Sequence, residues 1–189
     1  MRKTIVILLW LVSSLSMHAQ MKMQDVVKLM PDSIVPYLTE NNVLDFIDFM
    51  DSNLPAEITN RFGCKSKMIK LTDRYTLLQL NEASKLEMCL LDVNTAVDSL
   101  SQIICLVRTY GTDFRISTID FYSLKWRKLD ADSYIELPEY ICIATLDEQE
   151  PILTLTPNLK LEAPANEEQK EVEESSIILN WKGKFVKQS

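Results

Sequence analysis

Five carboxylates, Asp73, Glu82, Asp92, Asp120 and Glu136, lie in or beside strand-like segments. Paired acids of this kind can hydrolyse glycosides without a histidine. That matters because the sole histidine, His18, falls inside a stretch that reads as a secretory signal peptide. Arg2-Lys3 is followed by an apolar run from Ile5 to Val12, then by small and polar residues ending in His18-Ala19. A charged start, an apolar centre and Ala before the cut are the marks of an export signal. A mature chain starting near Gln20 then has no histidine, which rules out Ser-His-Asp and Cys-His mechanisms and the zincin motif. Sequence alone brings no two acids to a fixed separation. Five in a chain of 27 acidic residues is no enrichment, so a solvated surface is the preferred reading.

Four cysteines, Cys64, Cys89, Cys105 and Cys142, remain after cleavage. Their spacings match no zinc pattern, and outside the cytoplasm they permit two disulfides. Four buried thiols acting as small hydrophobes is an equal alternative. One pairing has a geometric basis. If Leu86–Leu91 and Gln102–Thr109 form a hairpin symmetric about Val97, Cys89 faces Cys105, making them the candidate disulfide.

The remaining motifs are silent. Gly63, Gly111 and Gly183 all have turn contexts, so none is left for a phosphate loop or a dinucleotide fingerprint. Asp45, Asp48 and Asp51 lack the loop and Gly turn of a calcium site and read as a solvated helix face. The sequence thus offers no catalytic residue, no metal site and no cofactor, and an enzyme is the less favoured expectation. The 27 acids against 20 bases give a net charge of −7, or −9 without Arg2 and Lys3. That balance opposes nonspecific binding to nucleic acid or anionic membranes. No stretch reaches the ~20 apolar residues of a membrane span, so no membrane insertion is expected after cleavage.

The elements that would position these residues follow from periodicity. Val26, Val27 and Met30 have helical spacing, and Pro31 stops that helix. Val43, Phe46, Ile47 and Met50 form one apolar stripe behind Asn42, a candidate cap. After Gly63, strands are expected at Met68–Leu71, Tyr75–Leu80, Lys85–Leu91, Ile103–Tyr110 and Arg115–Tyr122, joined by hairpin-length turns. Ile103–Val107 is apolar on both alternations, which predicts a central strand covered on both faces. Less regular runs, Tyr134–Leu137, Tyr140–Leu146 and Ile152–Leu155, come next.

Residues 163–176 form an acidic stretch expected to be flexible. The apolar tail, residues 177–189, should then return as a strand on the sheet edge, or else add to the edge of a partner. Phe121 and Tyr122 alternate to opposite faces and cannot make one stacking platform. Trp181 and Phe185 are candidate partner contacts, although a tail stapled to its own core is the preferred account of Trp181.

Segments 30–38 (Met-Pro-Asp-Ser-Ile-Val-Pro-Tyr-Leu), 44–49 (Leu-Asp-Phe-Ile-Asp-Phe), 71–75 (Leu-Thr-Asp-Arg-Tyr) and 121–126 (Phe-Tyr-Ser-Leu-Lys-Trp) occur in that order. Together they resemble an uncharacterised family of exported Bacteroidales proteins, domain of unknown function 3256. The resemblance spans roughly Gln24 to Leu146. It implies an envelope protein of this size with a signal peptide, and it carries no catalytic residue over.

The fold expected is α+β, with N-terminal helices packed on an antiparallel β-meander. Residues 1–19 are the signal peptide, 20–162 the domain, 163–176 the acidic loop and 177–189 the returning strand. The expected function is a non-enzymatic binding or interaction module of the periplasm or cell envelope, with an envelope protein as candidate partner. The alternative is a carboxylate-dependent glycan hydrolase.

Overall fold

The structure, a computed structural model, describes residues 20–158 and 175–188. The expected signal peptide and the acidic stretch up to residue 174 lie outside these residues. The chain is mostly antiparallel sheet with two short helices.

Helix α1, Met23–Lys28, ends before Pro31, and α2 spans Glu40–Asp51. Asn42 does not cap α2. Thr39 takes that place, its hydroxyl accepting from the Asn42 N–H at 3.1 Å while the Asn42 amide oxygen accepts from the Thr39 N–H at 3.1 Å. Both residues are cap formers, and this reciprocal box satisfies two orphan donors instead of one.

Seven strands form the first sheet in sequence order: β1 (Glu57–Thr59), β2 (Lys65–Leu71), β3 (Tyr75–Asn81), β4 (Ser84–Val97), β5 (Leu100–Tyr110), β6 (Ile116–Ser123) and β7 (Lys128–Leu129). The β4–β5 hairpin runs further than the expected strands Leu86–Leu91 and Gln102–Thr109, through the residues between them. Its turn residues Asp98 and Ser99 take φ of 53° and 69°, the left-handed geometry that matches strand twist in a two-residue hairpin. From Gln102 to Val107, β5 is buried on both faces.

Alternation divides the interior in two. Leu86, Met88, Ile104 and Leu106 share one hydrophobic cluster with Val26, Phe46 and Ile47 of the helices. Cys89, Leu91, Cys105 and Phe121 belong to a second cluster on the opposite face. A fully buried side chain of this size contributes roughly 1.5–3 kcal/mol, so covering both faces supplies much of the driving force for folding.

The second cluster is closed by a second sheet, which the sequence did not foretell. Its order is β11 (Phe185–Lys187), β10 (Ile177–Trp181), β9 (Ile152–Pro157) and β8 (Cys142–Leu146). The tail therefore pairs with β9, not with an edge of the meander, because Leu179 and Phe185 complete the apolar layer begun by Leu146, Leu153 and Leu155. Residues 134–137 form no strand. They follow a 3-10 turn at Ala131–Ser133, which directs Ile135 into the second cluster.

Candidate functional site

The largest of the described clefts, about 350 Å³, opens where the second sheet meets segment 136–138. Two others described are smaller, about 210 and 90 Å³. Buried Leu155, Leu179 and Phe185 line it, and Leu137 and Pro138 contribute a further apolar wall. Glu136, Lys184 and Lys187 supply its charges.

Three lysines, Lys182, Lys184 and Lys187, crowd the β10–β11 hairpin. None forms an ion pair with a described carboxylate, unlike Lys65, Lys67, Lys70, Lys85 and Lys128 elsewhere. Among the described residues this gathers positive charge beside apolar surface, on a chain of net charge −7.

The edge of β11 adds backbone groups. The Lys182 N–H donates to the Lys184 carbonyl and the Gln188 N–H to the Ile178 carbonyl, so residues 184, 186 and 188 face β10. Phe185 and Lys187 therefore turn their backbone outward. The Phe185 N–H donates to the Tyr134 carbonyl at 2.8 Å. The Phe185 carbonyl and Lys187 N–H have no backbone partner among the described residues.

Trp181 and Phe185 are brought together, within the chain. The Trp181 ring lies 6.1 Å from Tyr134, 6.4 Å from Phe121 and 5.1 Å from Phe185, and its indole N–H donates to the Asp92 carbonyl at 2.6 Å. Phe185 is only 3 % exposed, so what it offers a ligand is groove floor. Phe121 and Tyr122 do separate, Phe121 into the second cluster and Tyr122 against Trp126 in the first.

The five carboxylates are dispersed. Asp73 pairs with Lys22, Asp92 with Arg74, and Asp120 with both Arg108 and Lys128. The hydrogen bond from Lys128 to Asp120 raises the lysine above its ordinary value. Glu82 and Glu136 line different clefts.

A sixth acid, Glu87, lies inside the apolar run Leu86–Leu91, where the sequence pattern gives it no partner. It is 2 % exposed and accepts from the Lys85 ammonium and the Leu146 N–H. The one available signal was a lone charge inside an apolar run, and that charge serves the architecture. It caps β8, the edge of the second sheet, together with Ser117, whose hydroxyl accepts from the Ala144 N–H at 2.9 Å.

Cys89 and Cys105 are directly opposed, and all four cysteines are free thiols. The Ala83 carbonyl accepts from the Gly111 N–H, and counting by twos along the unbroken register makes Cys89 and Cys105 a hydrogen-bonded pair. Cβ atoms in such a pair lie about 5.5 Å apart, beyond the ~4.5 Å that a disulfide spans. Burial, followed by the hydrogen bond to Cys89, pushes the Cys105 thiol well above its ordinary value. It is therefore a poor nucleophile. Among the described residues no cluster of His, Cys, Asp or Glu could hold a metal ion.

A family model described as "Protein of unknown function (DUF3256)" matches residues 14–182. The chain belongs to this family. DUF3256 carries no assigned activity, so membership gives kinship without chemistry. A solved domain of an uncharacterized protein from Porphyromonas gingivalis W83 is similar in fold, with a TM-score of 0.71 at 16% identity. The match covers 89% of this chain and 100% of that one. No curated protein matches the chain.

Proposed function

We propose that this DUF3256 protein is a non-enzymatic interaction module of the cell envelope, exported by its N-terminal signal, and that it engages a protein partner through the groove beside β11. The observation that carries this reading is the coincidence, among the described residues, of an apolar floor, lysines without an ion pair and outward backbone groups at one place. Interaction sites combine a desolvated apolar centre with a polar rim, and this groove has both. In this reading the helices act as a lid of scaffold over the far face of the meander, leaving the second sheet as the working surface. No described helix is long and apolar enough to cross a membrane.

A glycan hydrolase would need two carboxyl groups facing one cleft. Of the five sequence candidates, Glu82 and Glu136 alone line described clefts, and they line different ones. No observation favours that second reading. In-cell crosslinking of the tagged protein at native abundance, followed by mass spectrometry, tests the module directly. A reproducible neighbour is expected, whereas none under several crosslinkers would overturn it.

A further inference from the structure

Resting on the export part of that reading, we infer that the mature chain begins at Gln20 and that this glutamine closes on its own α-amine, giving an N-terminal pyroglutamyl residue. Two observations set the cut. Downstream, the folded body starts almost at once. Met21 packs partly buried against the first cluster, Lys22 pairs with Asp73 at 3.1 Å, and the Met23 N–H donates to the Asp73 carbonyl at 2.8 Å. Met23, Val26 and Val27 are then exposed by 1 % or less. A cut beyond Gln20 would begin to strip that cluster. Upstream, Ala19 is the last small residue ahead of the body, and a small residue belongs just before the cut of an export signal. Core and signal thus agree on the Ala19–Gln20 bond.

Gln20 is exposed, so cleavage frees its α-amine within reach of its own side chain. The neutral amine nitrogen attacks the γ-carboxamide carbon, a C–N bond closes a five-membered lactam, and the bond to the amide nitrogen breaks. The proton shed by the amine leaves with that nitrogen as ammonia, so no oxidant, reductant or second substrate enters. Both reacting groups belong to one residue, which makes closure intramolecular. An α-amine titrates at about 8, well below a lysine, so a neutral fraction exists near neutral pH. The product has lost the terminal positive charge. Exopeptidases that grip a free α-ammonium then find no handle. Only Gln20, Met21 and Lys22 separate such an enzyme from fully buried Met23, so the cap guards a short lead into the core.

The test is mass spectrometry of the intact protein and of its N-terminal peptide. The full chain, Met1 to Ser189 with a C-terminal tag, is made at native abundance in its own cells and denatured in acid at harvest. The N-terminal peptide should start at residue 20, weigh one ammonia less than the linear form, and take an amine-reactive label at Lys22 alone. Gln20→Asn, whose shorter side chain could close only a strained four-membered ring, should keep a free α-amine. A broad-specificity aminopeptidase should trim that variant and leave the wild-type chain intact.

A start at Gln20 with a free, labelled amine overturns the inference, as does a cut at any other bond. Closure that develops only while harvested protein is stored assigns the ring to handling and overturns it equally. Identical resistance of the two chains to the aminopeptidase overturns the guarding role. A chain that still begins at Met1 contradicts export itself, whereas a cleaved chain with an open Gln20 leaves export standing, so the two failures are distinguishable.

Discussion

The carboxylate of Glu87 in β4 accepts the backbone N–H of Leu146 in β8, at 3.1 Å across the two sheets. One side chain thus stitches the edge of one sheet to the interior of the other. Its second oxygen takes the Lys85 ammonium at 2.8 Å. A buried carboxylate must be paired and hydrogen-bonded to be tolerated, and Glu87 is both.

Removing that carboxylate leaves the Leu146 N–H unsatisfied and Lys85 unpaired. Glu87→Ala should lower stability by about 2–4 kcal/mol, while Glu87→Gln, which keeps an acceptor oxygen, should cost less. Urea unfolding monitored by circular dichroism gives the comparison. An unchanged midpoint for Glu87→Ala would show that the bond between the sheets carries no weight.

Trp181 is the corresponding staple for the tail. Trp181→Ala loses the contacts with Phe121, Tyr134 and Phe185 and the bond to Asp92, and should cost about 3 kcal/mol. Trp181→Phe, keeping a ring but no donor, should cost roughly 1 kcal/mol. Thermal melts rank the two variants, and equal losses would mean that the Asp92 bond is incidental.

Acid titration isolates Glu57. Hydrogen bonds from Lys65 first, then Lys67, hold its carboxyl at about 2, against an ordinary 4.5. Because the folded value is depressed, the stabilising contribution is present above pH 4.5 and is lost as pH falls toward 2. The stability difference between wild type and Glu57→Gln should therefore be constant above that window and shrink through it. At the alkaline end, burial raises the Tyr75 phenol above its ordinary 10. Its contribution is intact below pH 10 and fades as pH rises beyond it, so Tyr75→Phe should resist alkaline unfolding better than wild type.

The thiols give a fourth expectation. Cys89 and Cys105 should stay reduced in protein recovered from an oxidising compartment, because their hydrogen-bonded register separates the Cβ atoms too widely. Alkylation of native protein should label exposed Cys64 and spare Cys89 and Cys105, and alkylation after denaturation should label all three. A crosslinked Cys89–Cys105 peptide in the digest would contradict this.

Local patterns were legible and long-range ones were not. Alternation placed β3 to β6, and counting about Val97 gave the Cys89–Cys105 register, although the turn lies at Asp98–Ser99 and a register shift between Asp92 and Val97 absorbs the difference. The helix is capped by Thr39 rather than Asn42; both are competent caps, and only the structure shows which one closes the box. The second sheet was hidden because β9 finds its partner β10 beyond a long acidic stretch, and Pro138 and Pro151 obscure the runs between. The groove was hidden for the same reason. Leu137, Leu155 and Phe185 are far apart in the chain and meet only when the second sheet forms. Trp181 was legible as an aromatic anchor, whereas Lys184 and Lys187 gain meaning only from the structure, where they form no ion pair among the described residues.

Photo-crosslinking in living cells tests the groove most directly, from a reactive residue placed at Leu137 on its wall, with the same residue at exposed Phe62, which does not line it, as control. One reproducible protein adduct is expected from position 137, absent from position 62 and lost on introducing K184E/K187E. Equal adducts from both positions, or an adduct at 137 that survives the lysine reversal, would contradict it.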